Sequence, residues 1–405
     1  MTKTTYDPNV PISFTSFMPD SGGIRDKFIL KGSNFGSDTS KVKVYFIDEE
    51  KERKATLINM NNETIYCIVP KQLGGDNLVK VKVESDSATS DSTFHYTVAE
   101  SVSNVVGLSG TAGSVDGTLS DGRIQRTFGI AALGDDELIS FETLSKTVRY
   151  ISVNDNIIST LQTGFGAAQP AITKDRNTLY AIEAYSPHRV VRYTREGLWQ
   201  PEIMSSGLYR SNGNVVAGAI FAAALDDSEE WLYFRDRYGV FGRMEIANPT
   251  NVEILNESCG PSASSDYNYL IYSPVDDCFF FSVQYLHEVY KVGTDAQNPE
   301  IYAGSTQGSS DGSRLEAKFN SPTGFNVDSE GNLYVVDSNN HTIRKINHSS
   351  GYVSLIAGTT GVAGGDNGDP LKSTFSYPYC ISVDESDNMF IGESWGTTIR
   401  KLAIE

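Results

Sequence analysis

The chain is poor in positive charge. It has 33 Lys and Arg against 51 Asp and Glu, a net charge of −18 over 405 residues. Phosphate backbones and anionic lipid surfaces are recognised by basic footprints, so neither a nucleic-acid partner nor electrostatic docking on a membrane is expected. Cysteine is scarce too. Cys67, Cys259, Cys278 and Cys380 lie far apart with no CxxC spacing, which matches neither the usual zinc patterns nor a disulfide framework. Cys67 and Cys380 stand in apolar runs and read as buried thiols. No apolar run approaches the ~18 residues of a membrane span, so no transmembrane segment is expected. HExxH, GxSxG and a glycine loop leading into a helix are all missing. No catalytic motif, metal site or cofactor is implied. The polar stretch at residues 1–9 reads as a linker or tether.

Tyrosine (21) and glycine (36) are plentiful, which suits an all-β chain with many turns. A repeated unit fixes the architecture more sharply. The segment from Ser321 to Ile346 recurs from Ser376 to Leu402 as strand, acidic turn, strand, polar turn and a third strand ending in I-R-K or its equivalent. The end of the second strand can be traced through six units, at Glu142, Glu183, Asp236, Val283, Asp337 and Glu393, spaced 41 to 56 residues apart. One unit cannot bury its own apolar face, so units must stack. Six units of three or four strands predict a six-bladed β-propeller over residues 100–405.

The last unit ends after its third strand. The segment Val105-Val106-Gly107-Leu108-Ser109-Gly110 is similar to Ile301-Tyr302-Ala303-Gly304-Ser305 and to Leu355-Ile356-Ala357-Gly358, which read as fourth strands. Residues of about 102–108 are therefore expected to complete the last blade and pair its open edge. A chain closing the ring in this way enters from the face opposite the turns between second and third strands.

Residues 10–99 show strands and turns with no helical period and predict a small β-sandwich. Phe17-Met18-Pro19, Gly32-Ser33-Asn34-Phe35-Gly36, Ile65 to Pro70 and Phe94-His95-Tyr96 resemble the IPT/TIG family of immunoglobulin-like domains. That resemblance implies a spacer or interaction module without catalytic groups. In the second domain, Leu333 to Asp337, Asn340 to Arg344 and the approach from Asp311 to Pro322 resemble the NHL repeat family. Together the two resemblances imply a secreted or lipid-anchored surface protein of Bacteroidetes, in the cell envelope. The 1–9 tether would then follow a lipid anchor or signal segment upstream of the given sequence.

Two residues beyond each second-strand end stand Leu144, Tyr185, Tyr238, Tyr285, Asn339 and Trp395, four of them large aromatics at matching places. A long connection from Ser205 to Gly218 brings Tyr209 and Arg210 to the same face. Exposed aromatics at turn tips suit stacking on sugar C–H faces, and the bland alternative is that they cap the blades. The carboxylates Glu142, Glu183, Asp236, Asp337 and Glu393 form a second ring. Their recurrence favours a structural role, holding the N–H groups of their own turns, over acid–base catalysis. His188, His287 and His341 precede third strands and read as turn residues. The oxygen-rich run Asp366 to Asp369 lacks the full calcium loop and leaves only a surface cation to consider.

Three readings follow. The first is a non-catalytic glycan-binding protein using Tyr185, Tyr209, Arg210, Tyr238, Tyr285 and Trp395. The second is a propeller lyase or glycoside hydrolase using the carboxylates. The third is a scaffold that binds another protein. Propellers host all three, so fold alone does not choose.

Overall fold

The alternation of apolar and polar residues in the first hundred positions builds a sandwich. Phe28 and Leu30 are buried while their neighbours face out, and the same holds for Val42, Val44 and Phe46, and for Val79, Val81 and Val83. In this computed structural model, residues 5–404 are described apart from 24–25, 49–51, 71–73, 98–99, 135, 264–266 and 386. One sheet runs Ser13–Met18, Lys27–Ser33, Thr64–Ile68, Thr56–Met60. The facing sheet runs Ser21–Gly22, Asp86–Tyr96, Gly75–Val83, Val42–Ile47, Glu52–Lys54. Phe28, Phe46 and Phe94 meet edge to face between them, with centroids 4.9–5.4 Å apart.

Part of the 1–9 linker or tether lies on the sandwich. Residues 1–4 lie outside the described residues, but Tyr6 packs against the sandwich core. Asn34 holds this segment from both sides. It accepts from the Asp7 N–H at 3.0 Å and donates through Nδ2 to the Asp7 and Val10 carbonyls. Asn34 can do so because it adopts a left-handed backbone, φ 62°.

A second compact unit spans Ser101–Ala403. Its strands read as near-continuous apolar runs, such as Phe279-Phe280-Phe281, because sheets cover them on both faces. Fully burying one such ring is worth roughly 1.5–3 kcal/mol. Among the described residues there are six sheets; I to IV follow chain order, and V and VI each take one further strand from elsewhere in the chain. Sheet I holds Gly129–Gly134, Glu137–Glu142, Thr147–Ser152 and Ile157–Thr163. Sheet II holds Ala171–Ile172, Thr178–Ile182, Val190–Thr194 and Glu202–Ser205. Sheet III holds Ile220–Leu225, Trp231–Asp236, Phe241–Glu245 and Val252–Asn256. Sheet IV holds Leu270–Ser273, Cys278–Val283, Glu288–Gly293 and Glu300–Gly304. Sheet V holds Pro322–Val327, Leu333–Asp337, Thr342–Ile346 and Tyr352–Ala357, with a short fifth strand, Gly312–Ser313, from the preceding loop. Sheet VI holds Pro378–Val383, Met389–Glu393 and Thr398–Ile404, and its fourth strand is Glu100–Gly107.

The first strands of successive sheets lie side by side from II to VI, and that of VI lies beside that of I. An apolar cluster including Ala131, Phe141, Leu179 and Tyr193 joins I to II. The strand that completes sheet VI begins two residues before, and ends one before, the expected 102–108. Leu108 instead turns back to Thr111.

The Gly107 backbone shows the same device as two other fourth strands. Gly107, Gly304 and Gly358 have φ of 92°, 94° and 95°. A Cβ on them would collide with the carbonyl oxygens of Thr397, His287 and His341, each just before its sheet's third strand.

Candidate binding face

The turns between second and third strands all emerge at one end of the sheets. They present Tyr185, Tyr238, Tyr285 and Trp395. With Tyr209 from the loop after sheet II, these rings are 43–58% exposed. Leu144, at the matching place in sheet I, is exposed as well.

These rings are seated differently. Tyr185 meets Phe221 edge to face at 6.0 Å. Tyr209 lies against Gly207 and Tyr238 against Gly218, where any larger residue would collide with the ring. Trp395 has Tyr377 at 6.0 Å and the Arg126 guanidinium over its ring at 4.1 Å, so one face expected to stack on a ligand is covered. Arg210 is not a free cation: it pairs with Glu257 at 2.6 Å.

Against Tyr185 lies an aromatic floor in which Phe128 and Phe221 are buried and Tyr267 and Tyr379 are partly exposed. Phe128, Phe221, Tyr267 and Tyr379 stand at or just before the first strands of sheets I, III, IV and VI. Tyr267 contacts all three of the others, with centroids 4.5–5.7 Å away. Tyr269 ties the floor down by donating its hydroxyl to the Phe128 carbonyl at 2.5 Å. Reading the sequence by second-strand ends passed over these residues. Their signal was an aromatic at the start of the first strand in four units: Thr127-Phe128-Gly129, Ile220-Phe221-Ala222, Tyr267-Asn268-Tyr269 and Pro378-Tyr379-Cys380.

Two arginines flank the floor. Arg126 stacks on Trp395, and Arg237 lies over Phe221 at 5.4 Å. Neither forms an ion pair among the described residues, and the Arg237 Nε, like those of Arg149, Arg344 and Arg400, is buried without a hydrogen-bond acceptor. Burial raises the pKa of the Tyr267 hydroxyl between them, and both guanidinium groups oppose that rise. Beside Trp395, between sheets VI and I, a cleft of about 480 Å³ is lined by Arg126, Gln125, Leu144, Ser145 and Thr397. No carboxylate lines it.

The five ring carboxylates point inward and are almost fully buried. Asp236 accepts from the N–H groups of Gly218, Tyr238 and Val240 at 2.8–3.0 Å. Asp337 accepts from Asn320 N–H at 2.6 Å and Asn340 Nδ2 at 2.7 Å. Glu393 accepts from Ser376 N–H at 2.6 Å and from the Thr398 hydroxyl. Glu142 accepts from the Ser145 hydroxyl at 3.0 Å, and Glu183 is clasped by Arg189 at 2.8 Å. Burial pushes the carboxyls of Glu142, Asp337 and Glu393 up to about 7.

The recurring third-strand arginine has a role the sequence only hinted at. Arg344 donates to the Lys318 and Ser310 carbonyls and to Asp311. Arg149 does the same with Arg123, Val115 and Asp116, and Arg400 with Thr374, Asp366 and Asn367. Each arginine thus pins the long loop that crosses its sheet. In the oxygen-rich run 366–369, the Arg400 guanidinium occupies the Asp366 carbonyl and Asn367 side chain.

The histidines serve as turn residues. His287 Nδ1 accepts from Ser321 N–H at 3.1 Å and His341 Nδ1 from Tyr377 N–H at 3.2 Å. His188 is buried between the Glu183 and Val216 carbonyls. No group of three or more His, Cys, Asp or Glu among the described residues is placed to hold a metal ion. No helix among them is long and apolar enough to cross a membrane.

Comparison with known proteins supports the domain reading. Residues 11–96 match the IPT/TIG domain and residues 319–346 match the NHL repeat. A Bacteroides thetaiotaomicron protein of unknown function is 41% identical, covers 99% of this chain and 100% of its own, and superposes with a TM-score of 0.90. The chain belongs to its family. An auxiliary nutrient binding protein of Bacteroides ovatus shares the fold at 21% identity, with TM-score 0.65 over 99% of this chain and 100% of that one. The NHL repeat-containing protein 2 of Bos taurus is 29% identical over 159 residues, 38% of this chain. The chain spans about a fifth of that relative's length, 21%.

Proposed function

We propose that the protein is a non-catalytic binding protein of the cell envelope that takes a carbohydrate on the aromatic face. On this reading the six sheets form a six-bladed propeller, closed where Glu100–Gly107 joins sheet VI. The observation that carries the proposal is the set of turn and loop rings Tyr185, Tyr209, Tyr238, Tyr285 and Trp395, held 43–58% exposed, with Tyr185 against the aromatic floor. Large exposed rings on a soluble surface are costly unless a ligand covers them. Rigid aromatics supply contact area at little entropic cost. The fold is one that Bacteroides nutrient-binding proteins also use, which agrees with a receptor role and an envelope location.

The enzyme reading loses its main support, because the recurrent carboxylates are buried and engaged by donors of the following turn and of the loop leading into the first strand. On our reading they are structural. A scaffold for another protein is the remaining rival.

The test is a binding screen against plant and host polysaccharides with the wild-type protein and Trp395→Ala. Binding with the polymer left intact, weakened by about ten-fold in the variant, is the expected result. Depolymerisation would establish the enzyme reading instead. No binding across the panel would leave the scaffold. Cell fractionation tests the location.

A further inference from the structure

The charge on the aromatic face runs against the rest of the molecule. The chain carries −18, yet the floor is flanked by two arginines without a carboxylate partner among the described residues. Most arginines elsewhere are spent: Arg149, Arg344 and Arg400 pin loops, and Arg189, Arg192, Arg210 and Arg243 pair with glutamates. An arginine with a buried Nε and no acceptor carries an unmet desolvation cost, normally met by an anion or a carbonyl. Arg237 is such a residue; the Nε groups of Arg149, Arg344 and Arg400 lack an acceptor too, but their terminal nitrogens hold carbonyls and side-chain oxygens, and no side-chain hydrogen bond or ion pair holds Arg237 among the described residues. The Arg126 guanidinium stands over the Trp395 ring at 4.1 Å, where its N–H donors have no carboxylate partner among the described residues and can take a planar or tetrahedral anion.

Arg237 lies over Phe221 and Arg126 over Trp395, and both partly offset the rise that burial and Tyr185 cause in the pKa of the half-buried Tyr267. The cleft beside Trp395 is lined by Arg126 and neutral side chains only.

We infer that the face takes an acidic saccharide, whose carboxylate or sulfate group is bound by Arg126 and Arg237 while its ring lies on Tyr267 and Tyr379, the partly exposed rings of the floor. This rests on the carbohydrate reading above and narrows it. Uronates and sulfate esters share the required chemistry of a compact anion on a sugar ring. The overall negative charge repels polyanions, so binding of an acidic polymer reports this local site rather than a general attraction.

The experiment measures binding of four polymers: polygalacturonate, its highly methyl-esterified counterpart, dextran sulfate and unsulfated dextran. Wild type is compared with Arg126→Gln, Arg237→Gln, the double variant, and Arg192→Gln. The last removes the same charge from the Glu202 pair on sheet II. Thermal unfolding of each variant confirms the fold. The expected result is binding of an acidic polymer, weakened about ten-fold by each single change and about a hundred-fold by both, with Arg192→Gln like wild type. Preference for polygalacturonate identifies a uronate ligand, and preference for dextran sulfate a sulfate ester. Binding of a neutral polymer as tight as its acidic counterpart, or a double variant that binds acid like wild type, overturns this inference and leaves the carbohydrate reading. Failure of all four polymers, with no binding in the wider neutral panel, overturns both.

Discussion

The imidazole of His341 accepts the backbone N–H of Tyr377 through Nδ1 at 3.2 Å, and the two rings meet edge to face at 4.5 Å. His287 repeats the bond with Ser321, one sheet earlier. Each histidine ends a short 3-10 turn in a left-handed conformation, φ 61–62°, and reaches the loop that starts the next sheet. The repeat is thus latched to its neighbour through a turn residue.

This latch gives the first prediction. Nδ1 accepts only while the imidazole is neutral, and burial lowers the pKa of both His287 and His341 below 6.5. The unfolded chain then binds more protons than the fold below that value. The contribution is fully present above 6.5 and is lost as pH falls through it toward the folded pKa values. His341→Ala should cost about 1–2 kcal/mol at pH 7.5 and less at pH 5.5. Urea unfolding of both proteins at both pH values measures it. An equal cost at the two values would sink the latch.

Glu142 carries the opposite sign. Burial raises its carboxyl from 4.5 to about 7, and its Oε1 has no hydrogen-bond donor. The fold therefore holds a proton that the unfolded chain releases above 4.5. This group makes stability fall as pH rises from about 4.5 to 7, by up to ~3 kcal/mol. Glu142→Gln removes the titration, so the variant should gain on wild type between pH 5 and pH 8. Denaturation midpoints that shift in parallel would refute it.

Arg344 is 1% exposed and holds two carbonyls, Asp311 and Asp337. Arg344→Ala would strand these acceptors and cost about 3–5 kcal/mol. Arg344→Lys keeps the charge but loses the planar fork and should recover only part of that. Thermal midpoints rank the three proteins, and a lysine variant as stable as wild type would show that charge alone suffices.

The fourth strand of sheet VI comes from far away in sequence, and Gly107 is its checkpoint. Gly107→Ala and Gly358→Ala meet the same obstacle, a carbonyl in the preceding turn and a φ above 90°. Each should lose about 1–3 kcal/mol. Limited proteolysis should find the 101–403 unit opened in the Gly107 variant. A Gly107 variant as stable as wild type would mean that this strand contributes little to the sheet.

Much of the framework was legible in the chain because it repeats. Apolar runs buried on two faces, acidic turns and third-strand arginines recur at 41–56 residues, and local pattern is enough to register them. The Val106-Gly107 likeness to Ala303-Gly304 and Ala357-Gly358 even pointed to the donated strand, since all three glycines answer the same steric demand. The turn-tip aromatics followed from counting along equivalent strands.

The electrostatics of the face did not follow from such counting. Arg210 stood out in the sequence, yet Glu257, 47 residues away, neutralises it. Arg126 and Arg237 carry no mark in the sequence, because a missing partner leaves no local pattern. The aromatic floor likewise joins Phe128, Phe221, Tyr267 and Tyr379 across four sheets. Period and turn chemistry are short-range and are written in sequence. Which charges are paired, and which rings share a surface, depends on residues brought together only when the sheets pack, and that was decided by the tertiary structure.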